Sequence, residues 1–241
     1  MEILKASDIA AMIDHSLLHP TMSEQTVIDG CRIAMDYQTA TVCVKPCDVP
    51  VAVRILSGSP VLVTTVIGFP HGCHTTETKV FEARQAISQG CRELDMVLNI
   101  GRLLGGDETY VSEDIRAVCD VAHAEDVRVK VILENAYLTP QLIAAACRIA
   151  AEAGADFVKT STGYAPSGAR LADLRLMRKS VPDHVQIKAA GGIRTLDAAL
   201  RVRAVGASRF GATATETIMT EAIAREKNRS LFQPDDDGKE L

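Results

Sequence analysis

The sequence predicts an α/β fold of the (β/α)8 TIM-barrel type, on three observations. Short apolar, β-branched runs fall at residues 12–15, 40–44, 61–67, 93–98, 127–134, 156–160, 185–189 and 208–211. Their spacing, roughly 20–35 residues, leaves room for one strand and one helix each. A weak internal repeat, "SQGCRELDM", "EAGADFVKT" and "AVGASRFGA", sets a glycine between a helical stretch and the fourth, sixth and eighth runs. Eight such units over about 230 residues suit a closed barrel. A doubly wound sheet is the alternative, but it usually needs fewer strands, and nothing like GxGxxG follows the first run.

Taken in order, the runs at 12–15, 40–44 and 61–67 alternate with longer helical patterns. Residues 76–89 form an amphipathic stretch leading to the fourth run, and residues 141–153 lead to the sixth. Thr139-Pro140 reads as the start of that second helix, because threonine can cap and proline suits the first helical position. Residues 171–179 precede the seventh run, and Thr195 reads as the start of the helix after it. Gly90, Gly154 and Gly206 suit the left-handed conformation that ends helices. Residues 1–232 are expected to form one domain. The remainder, 233–241, is acidic and carries proline and glycine, so it is expected to fray.

Composition narrows the function. The 241 residues are 47% hydrophobic, ample for one core, and the net charge is −5, with no basic stripe to suggest nucleic acid. No run approaches a membrane span, and "MEILKASDIA" has no signal-peptide apolar core, so a cytoplasmic protein is expected. Seven scattered cysteines without a CxxC pair fit free thiols better than a disulfide framework or a zinc ribbon.

The chemistry begins with lysines on strands. Lys130, Lys159 and Lys188 fall within the fifth, sixth and seventh runs. In a barrel of this class the chemistry sits at the C-terminal ends of the strands. Lys159 and Lys188 lie near those ends on neighbouring strands. Two ammonium groups at roughly 5 Å, with an effective dielectric of about 20, repel by about 3 kcal/mol. That corresponds to roughly 2 pKa units, and burial pushes the same way. One amine could then be neutral and nucleophilic towards carbonyls. The alternative is that each lysine snorkels or pairs with an acid. For Lys130 an ion pair is the expectation, with Glu134 four residues on. Asp95, inside the fourth run without a local cation, is either a proton handler or a salt-bridge partner of a barrel lysine.

The glycine-rich turns suggest where an anion binds. "AAGGIRT" follows the seventh run and "FGATAT" ends the eighth. Gly191 and Gly192 allow backbone N–H groups close to phosphate, Thr195 adds a helix start, and Arg194 is a counter-charge. A tight turn alone would also use two glycines.

Together "ADFVKTSTG", "IKAAGGIRT", "ELDMVLNIG" and "VIGFPHGCHTTETK" resemble the deoxyribose-phosphate aldolase family, and the resemblance runs in order from "IDHSLLHP" through "SRFGA". It implies a class I aldolase that cleaves 2-deoxy-D-ribose 5-phosphate to acetaldehyde and D-glyceraldehyde 3-phosphate. It implies Lys159 as the Schiff-base lysine, Lys188 as the residue that tunes it and relays protons, and Asp95 as part of the relay. It also implies Asp14, at the end of the first strand, near the substrate hydroxyls, where a helix cap or loop contact is the other reading. Cys43 is implied as a pocket thiol, with a core thiol equally compatible. Gly163, Gly191, Gly192, Arg194, Gly211 and Thr213 complete the implied substrate site. The same Schiff-base chemistry on a different short aldehyde or sugar phosphate is the alternative, and a barrel that binds sugar phosphate without catalysis is a third. No cofactor or metal is expected, since a protonated imine supplies the electron sink. His71, Cys73 and His74 lack a fourth ligand at suitable spacing. A homodimer is the family's common assembly.

The sequence departs from the family in four places. Tyr164 follows "STG" where Lys or Phe is frequent. Thr213 and Ala214 stand where two serines are common. The chain ends "GKEL" without a terminal tyrosine, and "LENAYLT" replaces the commoner "ETGYLT".

Overall fold

A computed structural model describes residues 3–241. The chain begins with α1 (Ala6–Ala10) and then alternates: β1 (Ile13–Leu17), α2 (Glu24–Tyr37), β2 (Thr41–Val44), α3 (Val49–Ile55), β3 (Leu62–Ile67), α4 (Thr76–Ser88) and β4 (Glu93–Val97). It continues through α5 (Ile100–Leu104), α6 (Glu108–His123), β5 (Arg128–Ile132), α7 (Pro140–Glu152), β6 (Phe157–Lys159) and α8 (Leu171–Ser180). The last elements are β7 (Gln186–Ala190), α9 (Leu196–Ala204), β8 (Arg209–Ala212) and α10 (Thr215–Lys227). Each strand pairs in parallel with the next, and β8 closes on β1. The predicted (β/α)8 barrel is therefore the observed one.

Strand alternation divides the molecule into two interiors. The outward positions are apolar: Val42 and Val44 on β2, Leu94 and Met96 on β4, Val129 and Val131 on β5, and Ile187 and Ala189 on β7 all join the buried core beneath the helices. Each large aliphatic side chain buried there contributes about 1.5–3 kcal/mol. The inward positions are largely polar: Asp14, Glu93, Asp95, Lys130, Lys159, Lys188 and Arg209 are all buried. Polarity inside the barrel is thus a feature of one strand face, not of whole strands.

Local signals place the helices. Thr75, Thr139 and Thr195 accept from the backbone N–H three residues on and cap α4, α7 and α9. Gly90, Gly154 and Gly206 follow those helices with φ of 107°, 100° and 96°, as expected from the repeat. The fifth strand is shorter than predicted. It stops at Ile132, and Glu134 adopts φ 58°, which turns the chain off the strand.

The acidic tail, expected to fray, is placed along α8 and α9. Arg175 donates to both carboxylate oxygens of Asp236 at 2.7 and 2.5 Å, and Arg201 donates to Asp237 at 2.9 Å. Glu240 accepts from the backbone N–H groups of Leu171 and Ala172, both at 2.8 Å, at the start of α8. Composition alone does not reveal these arginines on neighbouring helices. Among the described residues, no helix is long and apolar enough to cross a membrane.

Candidate active site

Lys159 ends β6, and Lys188 lies directly opposite it on β7. Asp95, from β4, reaches both: its Oδ2 accepts from Lys159 Nζ at 2.6 Å and from Lys188 Nζ at 2.7 Å. Its other oxygen accepts from Lys130 at 2.8 Å. Lys188 also lies 2.5 Å from Asp14 Oδ2. Below this tier Arg209 donates to Asp14 and, at 2.8 Å, to Glu93. Lys130 stands 2.5 Å from Glu93. The ring of Phe157 forms the floor, with the cationic groups of Arg128, Lys130 and Arg209 5.8, 5.8 and 5.7 Å from its centroid.

These groups shift one another unequally. Burial lowers the pKa of Lys159, and the neighbouring Lys188 lowers it further, against the opposing pull of Asp95. Burial also opposes the charge on Lys188, but Asp14 and Asp95 outweigh it, so its pKa is raised. Burial would raise the pKa of Asp95; Lys130, Lys159 and Lys188 instead hold it well below the usual carboxylate range. At rest the site therefore holds one amine biased towards neutrality beside one biased towards the ammonium form, with a carboxylate between them.

Above the two lysines a cavity of about 520 Å³ opens at the C-terminal ends of the strands. Asp14, Cys43, Lys159 and Lys188 line its deeper part; Gly163, Gly191, Gly192, Arg194, Gly211 and Thr213 line its wall. Ten of the eleven residues singled out from the sequence thus face one space, and Asp95 lies just beneath it. Gly191 and Gly192 have φ of 86° and 90°, so the turn requires glycine twice in succession. A Cβ on Gly191 would come within 2.8 Å of Gly168 Cα, and Ala169 N–H donates to Gly191 O at 3.0 Å. The loop after β6 is thereby fastened to the loop after β7. Burial pushes the Cys43 thiol up to about 11, helped by Asp95, so it remains a thiol at neutral pH. Across the mouth, the Tyr164 hydroxyl donates to Leu18 O at 3.0 Å and its ring meets Phe69 edge-on at 5.6 Å.

Two sequence expectations need correction. Lys130 does not pair with Glu134. Four residues along a strand span about 13 Å, and Glu134 lies beyond the strand end in a left-handed turn. It accepts instead from Thr162 N–H, at 3.2 and 3.3 Å, and from Thr162 Oγ1. Asp95 has no cation on its own strand, and the expected alternative of a salt bridge to a barrel lysine is met three times over, each lysine coming from another strand. Asp14 is the second residue of β1, deep in the barrel, with Lys188 and Arg209 as its contacts. Sequence reasoning passes over Glu93 and Arg209 altogether and assigns Glu134 the wrong partner. Glu93 and Arg209 precede Asp95 and Gly211 by two residues, and period-two alternation puts each on the same inward face. His74 lies 3.3 Å from Glu82, and among the described residues no cluster of three potential metal ligands is found.

Fold and site define a (β/α)8-barrel enzyme with buried amines below a glycine-lined mouth. The chain belongs to the DeoC/LacD family of aldolases, whose family model matches residues 9–214. It is 47% identical over 215 residues to a deoxyribose-phosphate aldolase of Rhodopirellula baltica, covering 89% of each chain. It is 48% identical over 217 residues to that of Thermococcus gammatolerans, covering 89% of this chain and 96% of the relative. Among solved structures, the tetrameric deoxyribose phosphate aldolase of Aeropyrum pernix superposes with a TM-score of 0.84 at 28% identity, over 90% of this chain and 92% of that one.

Proposed function

We infer that this chain reversibly cleaves 2-deoxy-D-ribose 5-phosphate to acetaldehyde and D-glyceraldehyde 3-phosphate through a Schiff base on Lys159. The observation that carries the reading is the buried pair Lys159 and Lys188 in register, sharing one oxygen of Asp95 beneath the cavity. The names of the relatives support the substrate.

In the cleavage direction the neutral Lys159 amine adds to the aldehyde carbon of the open-chain sugar. Loss of water from the carbinolamine leaves a protonated imine. The C3 hydroxyl gives up its proton, the C2–C3 bond breaks, and its electron pair moves into the imine to form an enamine. D-glyceraldehyde 3-phosphate leaves. The enamine takes a proton at C2, and hydrolysis releases acetaldehyde and free Lys159. Lys188 and Asp95 serve as the proton relay, linked by the 2.7 Å contact. Lys188 also keeps positive charge beside Lys159. Gly163, Gly191, Gly192, Gly211 and Thr213 hold the phosphate with backbone and hydroxyl donors, Arg194 adds charge, and Asp14 and Cys43 line the sugar's path.

Self-association belongs to this reading, with the tetrameric Aeropyrum pernix relative as support. So does a reducing, cytoplasmic setting, since all seven cysteines are free, two of them exposed. The reading is tested by steady-state acetaldehyde release from deoxyribose 5-phosphate against a panel of other short sugar phosphates. Deoxyribose 5-phosphate is expected to have the highest kcat/KM. A clear preference for another member would keep the chemistry and change the substrate; Tyr164 at the mouth and Ala214 beside Thr213 are the departures that motivate the panel.

A further inference from the structure

The Schiff-base reading, on which this inference rests, needs one uncharged amine among several buried charges. The barrel interior holds three buried carboxylates, Asp14, Glu93 and Asp95, and four buried cations, Lys130, Lys159, Lys188 and Arg209. Three of the cations each contact at least two of the carboxylates. Lys130 stands 2.5 Å from Glu93, 2.8 Å from Asp95 and 3.6 Å from Asp14. Lys188 stands 2.5 Å from Asp14 and 2.7 Å from Asp95. Arg209 bridges Asp14 and Glu93. Lys159 contacts Asp95 alone, through the oxygen it shares with Lys188.

We propose that Lys130 is a positioning residue for the Schiff-base step: by filling the Oδ1 side of Asp95 and one side of Glu93, it satisfies the barrel carboxylates and leaves Lys159 as the one amine whose charge no carboxylate requires. With every group ionised this set carries one excess positive charge, and removing the proton from Lys159 cancels it. An uncompensated buried charge is strongly disfavoured, so the excess falls on the least-paired cation. The other strands leave this balance intact. Cys43 on β2 faces the lysines as a thiol, and β3 contributes the uncharged Thr64. Arg128 on β5 touches Glu93 from the lower rim, where its side chain is 43% exposed and so stands outside the buried set. The shifts agree in direction: the pKa of Lys130 is raised, since Asp95, Glu93 and Asp14 outweigh burial, whereas that of Lys159 is lowered.

Because Lys130 reaches no substrate in this arrangement, its effect must appear in the charge state of Lys159. In Lys130→Met one buried cation is lost, and Lys159 is needed as an ammonium. The pH midpoint for trapping acetaldehyde on Lys159 with borohydride should then rise by on the order of one to two units. In Glu93→Gln one buried anion is lost, the excess positive charge grows, and the midpoint should fall. The double variant Lys130→Met/Glu93→Gln should return it near the wild-type value. A merely structural role for Lys130 would lower soluble yield or thermal stability without moving the midpoint in opposite directions. The measurement is the pH profile of labelling at Lys159, read by peptide mass mapping in all four proteins. If Lys130→Met fails to fold, the fall in Glu93→Gln and the restored value in the double variant still decide the matter. Wild-type labelling at Lys159 with unmoved midpoints in the variants would overturn this inference and leave the Schiff-base reading intact. No labelling at Lys159 in the wild type would overturn both.

Discussion

Lys159 and Lys188 occupy paired positions on adjacent strands and share one carboxylate oxygen of Asp95, at 2.6 and 2.7 Å. The relationship is asymmetric, because Lys188 has Asp14 as a second partner at 2.5 Å. Lys188→Leu removes the positive charge that lowers the pKa of Lys159, so the amine holds its proton to higher pH. The acid limb of the kcat/KM profile is expected to move up by about 2 units, with activity at pH 7 reduced by about a hundredfold or more. Asp14 would also lose one of its buried cations, which lowers stability. An unchanged pH profile would show that Lys188 does not tune Lys159.

Glu134 holds the turn after β6 through both the N–H and the hydroxyl of Thr162, and Thr162 Oγ1 in turn accepts from Tyr164 N–H at 3.1 Å. Glu134→Ala frees that turn beside Gly163. The expected result is a KM for the phosphorylated substrate raised about tenfold, the loss of a hydrogen bond to a charged group. Acetaldehyde trapping on Lys159 should persist, since it needs no phosphate. Glu134→Gln keeps an acceptor for Thr162 and should restore most of the affinity. Unchanged KM in Glu134→Ala would mean that other contacts hold the loop.

The barrel was legible because its outward strand faces are apolar and regularly spaced, as in Val42 with Val44 and Leu94 with Met96. Lys159, Lys188 and the paired glycines 191 and 192 could be read because charge on a strand and glycine pairs after one are each rare. What sequence could not supply was pairing across the barrel. For Asp95 a salt bridge to a barrel lysine could stand only as one of two readings, since its three lysines lie 35, 64 and 93 residues away in the chain. Glu134 was assigned to Lys130 because the end of β5 and the left-handed turn after it were not visible in an apolar run.

Ala214 directly precedes α10 and caps it with no side-chain hydrogen bond. Ala214→Ser adds a hydroxyl at that position, next to Thr213 in the cavity wall. One new hydrogen bond to phosphate contributes about 1.5–3 kcal/mol, so the preference for deoxyribose 5-phosphate over deoxyribose should rise by roughly ten- to a hundredfold. If the hydroxyl instead caps the helix, stability rises by about 1 kcal/mol and the preference stays where it was. Paired kinetics and thermal melts separate the two outcomes, and the second would remove residue 214 from the phosphate site.

His15 faces outward from β1, with Nδ1 2.8 Å from Thr215 Oγ1 at the start of α10. Burial lowers its pKa from 6.5 to about 4. The unfolded chain takes up a proton on His15 near pH 6.5 and the folded protein only near 4. Between those values the unfolded state binds more protons, so stability falls as pH falls through that window. His15→Gln should flatten this part of the stability–pH curve, as measured by urea unfolding from pH 4 to 7. A curve identical to that of the wild type would place the titration elsewhere.

The most direct test of the central claim is to treat the protein with acetaldehyde and borohydride and map the adduct. The account requires a reduced ethyl group on Lys159, with both labelling and cleavage of deoxyribose 5-phosphate lost together in Lys159→Leu. A label on Lys188 or Lys130 instead, or full cleavage activity in Lys159→Leu, would contradict it.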